Sequence, residues 1–320
     1  MRDFQLDHLA TFAAAMDCGT FEAAARQLQV TASAVSQRIK AMEQAAGQIL
    51  LQRSLPVRPT RAGEAVMRLA WQVQQLQADT ARELAGGGAR QTLPLAVNAD
   101  SLATWFLPAL ARLSHDAGAC FELHREDEQH TAALLRTGQV VAAVTAAPAR
   151  VQGCTVEALG SLRYRAVASP DFIRRYQAPD AGPDLPGWLG GAPVVDFDRK
   201  DGLQSRFYED LAGRPLEAPR HYVPASAEFA AAVRLGLGWA LLPEQQCRAD
   251  LADGTLRELA PEKPVDVPLF WQRWKLSSPL LDSLTAAVRS TAAQALRPAA
   301  GDTVATAGAY GGVGRMDEGA

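Results

Sequence analysis

Ser33, Ser36, Gln37 and Lys40 are hydrogen-bond donors spaced over two turns of one amphipathic segment. Val35, Ile39 and Met42 fall between them at helical spacing, so apolar residues take one face and donors the other. A helix of that kind can enter the major groove, with Ser33 and Gln37 toward base edges and Lys40 toward phosphate. Thr31 is suited to cap its start. Thr31, Ala34, Ser36 and Arg38 complete the candidate DNA-contacting set on this segment. Just upstream, Phe21, Ala24, Ala25 and Leu28 form a shorter apolar face, and only Gln29-Val30-Thr31 separates the two. Two helices so joined predict a helix-turn-helix. A helical hairpin inside some other domain is the alternative. The lack of acid on the second segment before Glu43 argues against it.

The flanks carry the charge that phosphate binding needs. Between residues 26 and 61 stand Arg26, Arg38, Lys40, Arg53, Arg58 and Arg61, against Glu43 alone, in a chain of net charge −3. Arg53 to Thr60 reads as a short two-stranded wing whose Arg53 and Arg58 could hold backbone or a narrow minor groove. An isolated surface loop is the competing reading of that stretch.

These residues resemble the N-terminal domain of the LysR-type transcriptional regulators. The matching positions are Gly19-Thr20-Phe21, Ala23-Ala24, Leu28, Val30-Thr31, Ser33 to Ser36, Ile39-Lys40, Glu43, Gly47, Leu50-Leu51, Arg53 and Thr60 to Gly63. Ala32 departs from the pattern, standing where the family often has Gln or Pro, so no base contact is expected from it. The resemblance implies double-stranded promoter DNA as a partner and a homodimer or dimer of dimers. RNA polymerase is a further candidate partner.

Length and composition bound the remainder. At 320 residues, two or three domains are expected, each able to bury a core. There is no basic-then-apolar leader at Met1 and no apolar run of membrane-spanning length, so a cytoplasmic protein without membrane contact is expected. Cys18, Cys120, Cys154 and Cys247 show no paired spacing and read as reduced, mostly buried thiols. His124 and His130 are the nearest histidines and make no metal pair; no metal, cofactor or catalytic motif is expected, and the chain does not read as an enzyme.

From about Arg61 to Leu84 a long helix is predicted, with an apolar stripe of Ala62, Ala65, Leu69, Val73, Leu76 and Leu84. Such a stripe needs a partner. The resemblance implies the same helix of a second subunit, through Ala65, Leu69, Val73 and Leu76; packing onto the chain's own C-terminal region is the alternative. Gly86 to Gly88 reads as a joint. Beyond it strand and helix patterns alternate, predicting an α/β region. The expected strands are 93–98, 120–126, 140–145, 192–197, 221–223, 239–242 and 267–274. The expected helices include 101–113, 203–211, 227–235 and 278–297. The fold class expected is thus α plus α/β: a winged helix-turn-helix over 1–60, a linker and dimerisation helix with hinge over 61–88, and an effector-binding domain over 89–297. That domain divides into lobe I, about 91–165 and 266–297, and lobe II, about 166–265. It resembles the family's effector domain and, through it, periplasmic solute-binding proteins. Residues 298–320 read as a disordered tail.

Ligands of open α/β sheets sit beyond strand C-termini and at helix N-termini. Those places hold Asn98, Asp100, Ser101, Thr104 and Trp105; Glu126 and Asp127; Thr145; Asp196 and Asp198; and Ser226 and Glu228. Ser101 suits a ligand carboxylate and a helix cap. Asp100 disfavours a simple anion and suits an α-ammonium. The other acids point to a net-cationic, amphoteric ligand; the alternative is that they are solvated rim residues or internal ion pairs. Trp105, Phe197 or Phe229 could lie along an aliphatic stem or simply pack in the core. Val97 to Trp105, Glu126-Asp127, Gly138 to Val144, Asp201 to Gln204, Ala230 to Trp239 and Pro268 to Lys275 further resemble the LysG/ArgP branch of the family. That branch senses lysine and arginine and controls their export. The sequence is therefore read as a DNA-binding transcriptional regulator with a basic-amino-acid effector. The alternatives are a family member answering another metabolite, or a solute-binding or enzymatic α/β protein with an incidental hairpin.

Overall fold

The computed structural model describes residues 4–52, 54–84, 92–117, 119–125, 128–177 and 184–298. The predicted hinge, Arg53, the Glu126-Asp127 pair and the tail from 299 onward lie outside the described residues.

The chain forms two compact units, and the first comprises Met1–Thr145, Arg150–Glu157 and Trp271–Thr291. It opens with three helices, α1 (Leu6–Cys18), α2 (Phe21–Gln27) and α3 (Ala32–Ala46), followed by β1 (Leu51–Gln52), β2 (Arg58–Pro59) and α4 (Arg61–Leu84). The two helix-turn-helix segments start where threonines cap them. The Thr20 hydroxyl accepts from the Ala23 amide and the Thr31 hydroxyl from the Ala34 amide, each at 3.1 Å. Between them Gln29 takes a left-handed φ of 55°, which makes the turn tight. Leu9 and Phe12 of α1, which sequence reading did not single out, complete a core with Val35, Ile39, Met42, Met67 and Ala70. Each large side chain fully buried there contributes about 1.5–3 kcal/mol. Glu43, the one acid of the basic stretch, accepts the Leu50 amide at 2.9 Å. Its charge is used to anchor the base of the wing. The wing itself is an antiparallel pair, with Gln52 opposite Arg58. Gly63 lets α4 leave the wing closely: a Cβ there would stand 2.0 Å from the Leu50 carbonyl oxygen.

After α4 the same unit continues as β3 (Thr92–Val97), α5 (Ala99–Ser101), a π-helical turn (Leu102–Phe106), α6 (Leu107–Ala117), β4 (Cys120–Arg125), α7 (Glu128–Thr137) and β5 (Ala142–Thr145). Strand β3 lies between β4 and β5, parallel to both. Its residues from Leu93 to Val97 are all buried, as expected of a parallel strand covered on both faces.

The second unit comprises Ala146–Ala149, Ala158–Phe270 and Ala292–Ala320. The elements from here on are β6 (Cys154–Ala168), α8 (Pro170–Tyr176), α9 (Leu185–Leu189), β7 (Val194–Asp196), α10 (Leu203–Ala212), β8 (Arg220–Tyr222), α11 (Ser226–Arg234), β9 (Ala240–Pro243), α12 (Glu244–Asp253), β10 (Arg257–Glu258), β11 (Val265–Trp274) and α13 (Pro279–Ala295). Strands β6 and β11 each run through both units. Strand β6 was not anticipated, although Leu162, Tyr164 and Ala166 are buried in alternation with Arg163 and Arg165. Gly160 and the charged residues obscured the pattern. Within the second unit β6 pairs antiparallel with β9 and β10, and β7 pairs parallel with β8. The expectation of mostly buried thiols holds for Cys154 and Cys247; Cys120 is exposed and Cys18 half-buried.

Candidate DNA interface and effector-binding residues

Ser33, Gln37 and Lys40 lie exposed on successive turns of α3, and Thr31 is exposed at its start. Ser36 and Ala34 are half-buried beside them. Arg58 is exposed on the wing. Arg38 departs from the expectation of a displayed DNA contact. It bonds the Thr11 hydroxyl at 3.0 Å and pairs with Asp7 at 3.3 Å, so it clasps α3 to α1.

At the end of β3 the cap is Asn98, not Ser101. The Asn98 side chain accepts the Ser101 amide at 2.8 Å, and the helix begins at Ala99. Ser101 is thereby drawn inside, 0% exposed, with its hydroxyl lacking a hydrogen-bond partner among the described residues. Buried hydroxyls are usually hydrogen-bonded, so this one offers a ligand or a water a place to bond. Asp100 is half-buried in the first helical turn. Its carbonyl accepts the Thr104 hydroxyl at 2.6 Å. Trp105 is a core residue, 2% exposed and edge-on to Phe106 at 5.6 Å between ring centres, and its indole N–H, like the Ser101 hydroxyl, lacks a hydrogen-bond partner among the described residues. Thr145 is buried at the end of β5 and accepts from the Gln272 side chain at 3.3 Å.

In the second unit the acids are largely spoken for. Asp196 is 1% exposed and paired with Arg220, which also bonds the Ser205 hydroxyl at 2.9 Å. Burial pushes the Asp196 carboxyl above its usual range, and Arg220 only partly opposes it. Asp198 accepts the Lys200 and Asp201 amides at 2.6 and 3.0 Å, closing a turn. Asp198 is a correction to the reading of free ligand-binding acids, since internal donors hold it, and Asp196 is one only in part: Arg220 holds its Oδ2, while its buried Oδ1 lacks a hydrogen-bond partner among the described residues. Asp201, not singled out as a site residue, accepts the Phe197 and Leu203 amides at 3.0 Å each and the Gln204 side chain at 3.1 Å. It sets the start of α10. Ser226 begins α11 and accepts from Gln246 at 2.9 Å, and Glu228 is exposed on the next positions. Phe229 is buried and stacks with Phe197 at 6.5 Å, packing rather than lining a stem.

On α4, Val66, Met67 and Ala70 face the DNA-domain core, and Ala62 and Val73 pack against it in part. Ala65 is exposed, as are Leu69 at 39% and Leu76 at 46%. Leu6, Val73, Leu76 and Leu84 line a surface groove of about 410 Å³. Among the described residues no helix is long and apolar enough to cross a membrane.

A winged helix-turn-helix with an exposed polar recognition face, joined by a long helix to α/β units with buried polar groups at strand ends, is the build of a ligand-responsive DNA-binding regulator. Residues 6–64 match "Bacterial regulatory helix-turn-helix protein, lysR family" and residues 86–293 match "LysR substrate binding domain". The chain belongs to the LysR family and is a DNA-binding transcriptional regulator rather than an enzyme. It is 44% identical to the lysine export transcriptional regulatory protein LysG of Corynebacterium efficiens, over 91% of this chain and 98% of that one. Its identity to the regulator ArgP of Pseudomonas aeruginosa PAO1 is 40%, over 88% and 93%. Among solved structures, ArgP of Mycobacterium tuberculosis superposes with a TM-score of 0.83 at 39% identity, over 91% of this chain and 98% of that one. Full-length LysG of Corynebacterium glutamicum with bound effector Arg superposes with 0.80 at 39% identity, over 92% and 100%.

Proposed function

We propose that this regulator senses arginine or lysine through its α/β region and controls a gene for export of a basic amino acid, acting on promoter DNA as a homodimer or a dimer of dimers. The observation that carries the effector reading is Ser101. Its buried hydroxyl, without a hydrogen-bond partner among the described residues, sits in the first turn of a helix whose start Asn98 caps. A ligand carboxylate fits that combination of hydroxyl and helix N-terminus. The similarity to an arginine-bound LysG over nearly the whole chain supports the ligand class. Leu69 and Leu76, exposed on one side of α4, support pairing through that helix.

Titration calorimetry with arginine, lysine and norleucine tests the reading. Arginine or lysine should bind, and norleucine, which keeps the stem of lysine without its terminal charge, should bind far more weakly. Equal binding of lysine and norleucine would exclude a site that reads a cation.

A further inference from the structure

Gln272 and Trp274 are alternate residues of β11 and so share one face of the strand. Both are buried, at 2% and 0% exposure. Along that face their bonds lead toward opposite ends of β5. The Gln272 amide nitrogen donates to the Thr145 hydroxyl at 3.3 Å, and its carbonyl accepts the Val151 amide at 3.1 Å. The Trp274 indole donates to the Leu135 carbonyl at 3.2 Å, near the end of α7, and its amide bonds the Val141 carbonyl at 3.0 Å.

The linker helix is seated at that second end. Gly138 has a φ of +82°, and a Cβ there would stand 2.8 Å from the Trp274 ring and 3.2 Å from the Arg68 Cα. Glycine is what allows the backbone of α4 to come so close. Arg68 donates to the Arg136 carbonyl at 3.4 Å and passes Gly153, where a Cβ would be 3.6 Å from its Cδ. The segment holding Gly153 is the one Gln272 grips: the Cys154 amide bonds back to the Val151 carbonyl at 3.0 Å, and the Gly153 carbonyl accepts the Lys275 amide at 3.0 Å. On its other side, this turn of α4 supplies Val66, Met67 and Ala70 to the DNA-domain core.

We infer that Gln272 and Trp274 couple the Thr145 end of the first unit to the linker helix through the seat formed by Gly138, Gly153 and Arg68, so that effector occupancy biases how α4 holds the DNA-binding domain. The inference rests on the effector reading above. A buried amide with partners on both sides follows them when they move, and a close-packed interior passes such a shift on rather than absorbing it. Gln272 and Arg68 act here as positioning residues. Neither is placed against DNA or effector.

The full-length protein, its Arg68→Ala variant and its Gln272→Leu variant decide the matter. Arginine affinity is read by calorimetry, and the affinity and bend of an end-labelled duplex by fluorescence, with and without arginine. Arg68→Ala should bind arginine alone and DNA alone as the wild type does, yet lose the change that arginine makes to the DNA complex. Couplings of this kind are typically about 5- to 150-fold in affinity. Gln272→Leu should lose the same change. Gly138→Ala should reproduce the Arg68→Ala result if it folds; Arg68→Ala decides alone if it does not. An arginine response that survives in Arg68→Ala overturns the coupling route while leaving the effector reading intact. A wild type that binds arginine but forms the same DNA complex with and without it also overturns the route. A wild type that binds no arginine overturns the effector reading, and the coupling with it.

Discussion

Replacing Ser101 by alanine should move folding stability and effector affinity in opposite directions. In the unliganded protein the Ser101 hydroxyl is fully buried and lacks a hydrogen-bond partner among the described residues, while its amide is held by Asn98. Removing the hydroxyl leaves that cap intact. It also deletes a desolvated group whose cost, when unsatisfied, is about 1–3 kcal/mol. Against this stands the loss of the oxygen's own packing, a small volume. The unliganded variant should therefore be as stable as the wild type or more stable, by up to about 1 kcal/mol once the two effects are set against each other. Arginine affinity should fall. A hydrogen bond to a charged group is worth about 1.5–3 kcal/mol, or roughly ten- to a hundredfold in dissociation constant. Urea unfolding without ligand and calorimetric titration with arginine, on the same two proteins, read both effects. A variant that loses stability and keeps its arginine affinity would show that Ser101 serves the core and not the ligand.

The other expectations concern DNA, assembly and acid stability. Gln37→Ala should relax sequence preference at a cost of about 1–3 kcal/mol, whereas Arg58→Ala should weaken all duplexes alike and flatten the salt dependence; unchanged affinity and preference in Gln37→Ala would exclude α3 docking as described. Leu69→Glu combined with Leu76→Glu should yield folded monomers that bind half-sites weakly, and light scattering that still reports the wild-type oligomer would remove α4 as the interface. Glu244 accepts from Arg165 at 2.6 Å and from Arg297 at 3.0 Å. Burial acts to raise its carboxyl, but the bonds and charges of these two arginines more than offset that and hold it below the ordinary range. A depressed carboxyl stabilises the fold above its unfolded value and loses that contribution as pH falls through the folded one. Glu244→Gln should cost about 1.5–3 kcal/mol at neutral pH. In urea unfolding the deficit should shrink in acid, below the unfolded value of 4.5; an equal deficit at both would show that charge is not its source.

What the sequence determined by itself is whatever depends on neighbours along the chain. The two short helices, the Thr31 cap, the donor face of Ser33, Gln37 and Lys40, and the span of α4 from Arg61 to Leu84 follow from helical periodicity and capping, which act within a few residues. Buried parallel strands such as β3 and β5 were legible for the same reason, as short apolar runs. Strand β6 was not, because Gly160 and its outward arginines break the alternation and its pairing partners, β9 and β10, come much later in the chain. The roles of single polar residues were decided only by tertiary structure. Nothing near Arg38 shows that Asp7 waits for it, and nothing near Asp196 shows that Arg220 will neutralise it. Each suits an outside partner by its type and place in the sequence, yet an inside one takes Arg38 and, through Oδ2 alone, Asp196. Ser101 went the other way: Asn98, three residues earlier, took the cap that Ser101 could have made and left its hydroxyl buried and unmatched among the described residues. An ion pair or a cap excludes its members from other work, and which pair forms depends on distances that folding sets between residues far apart in the chain.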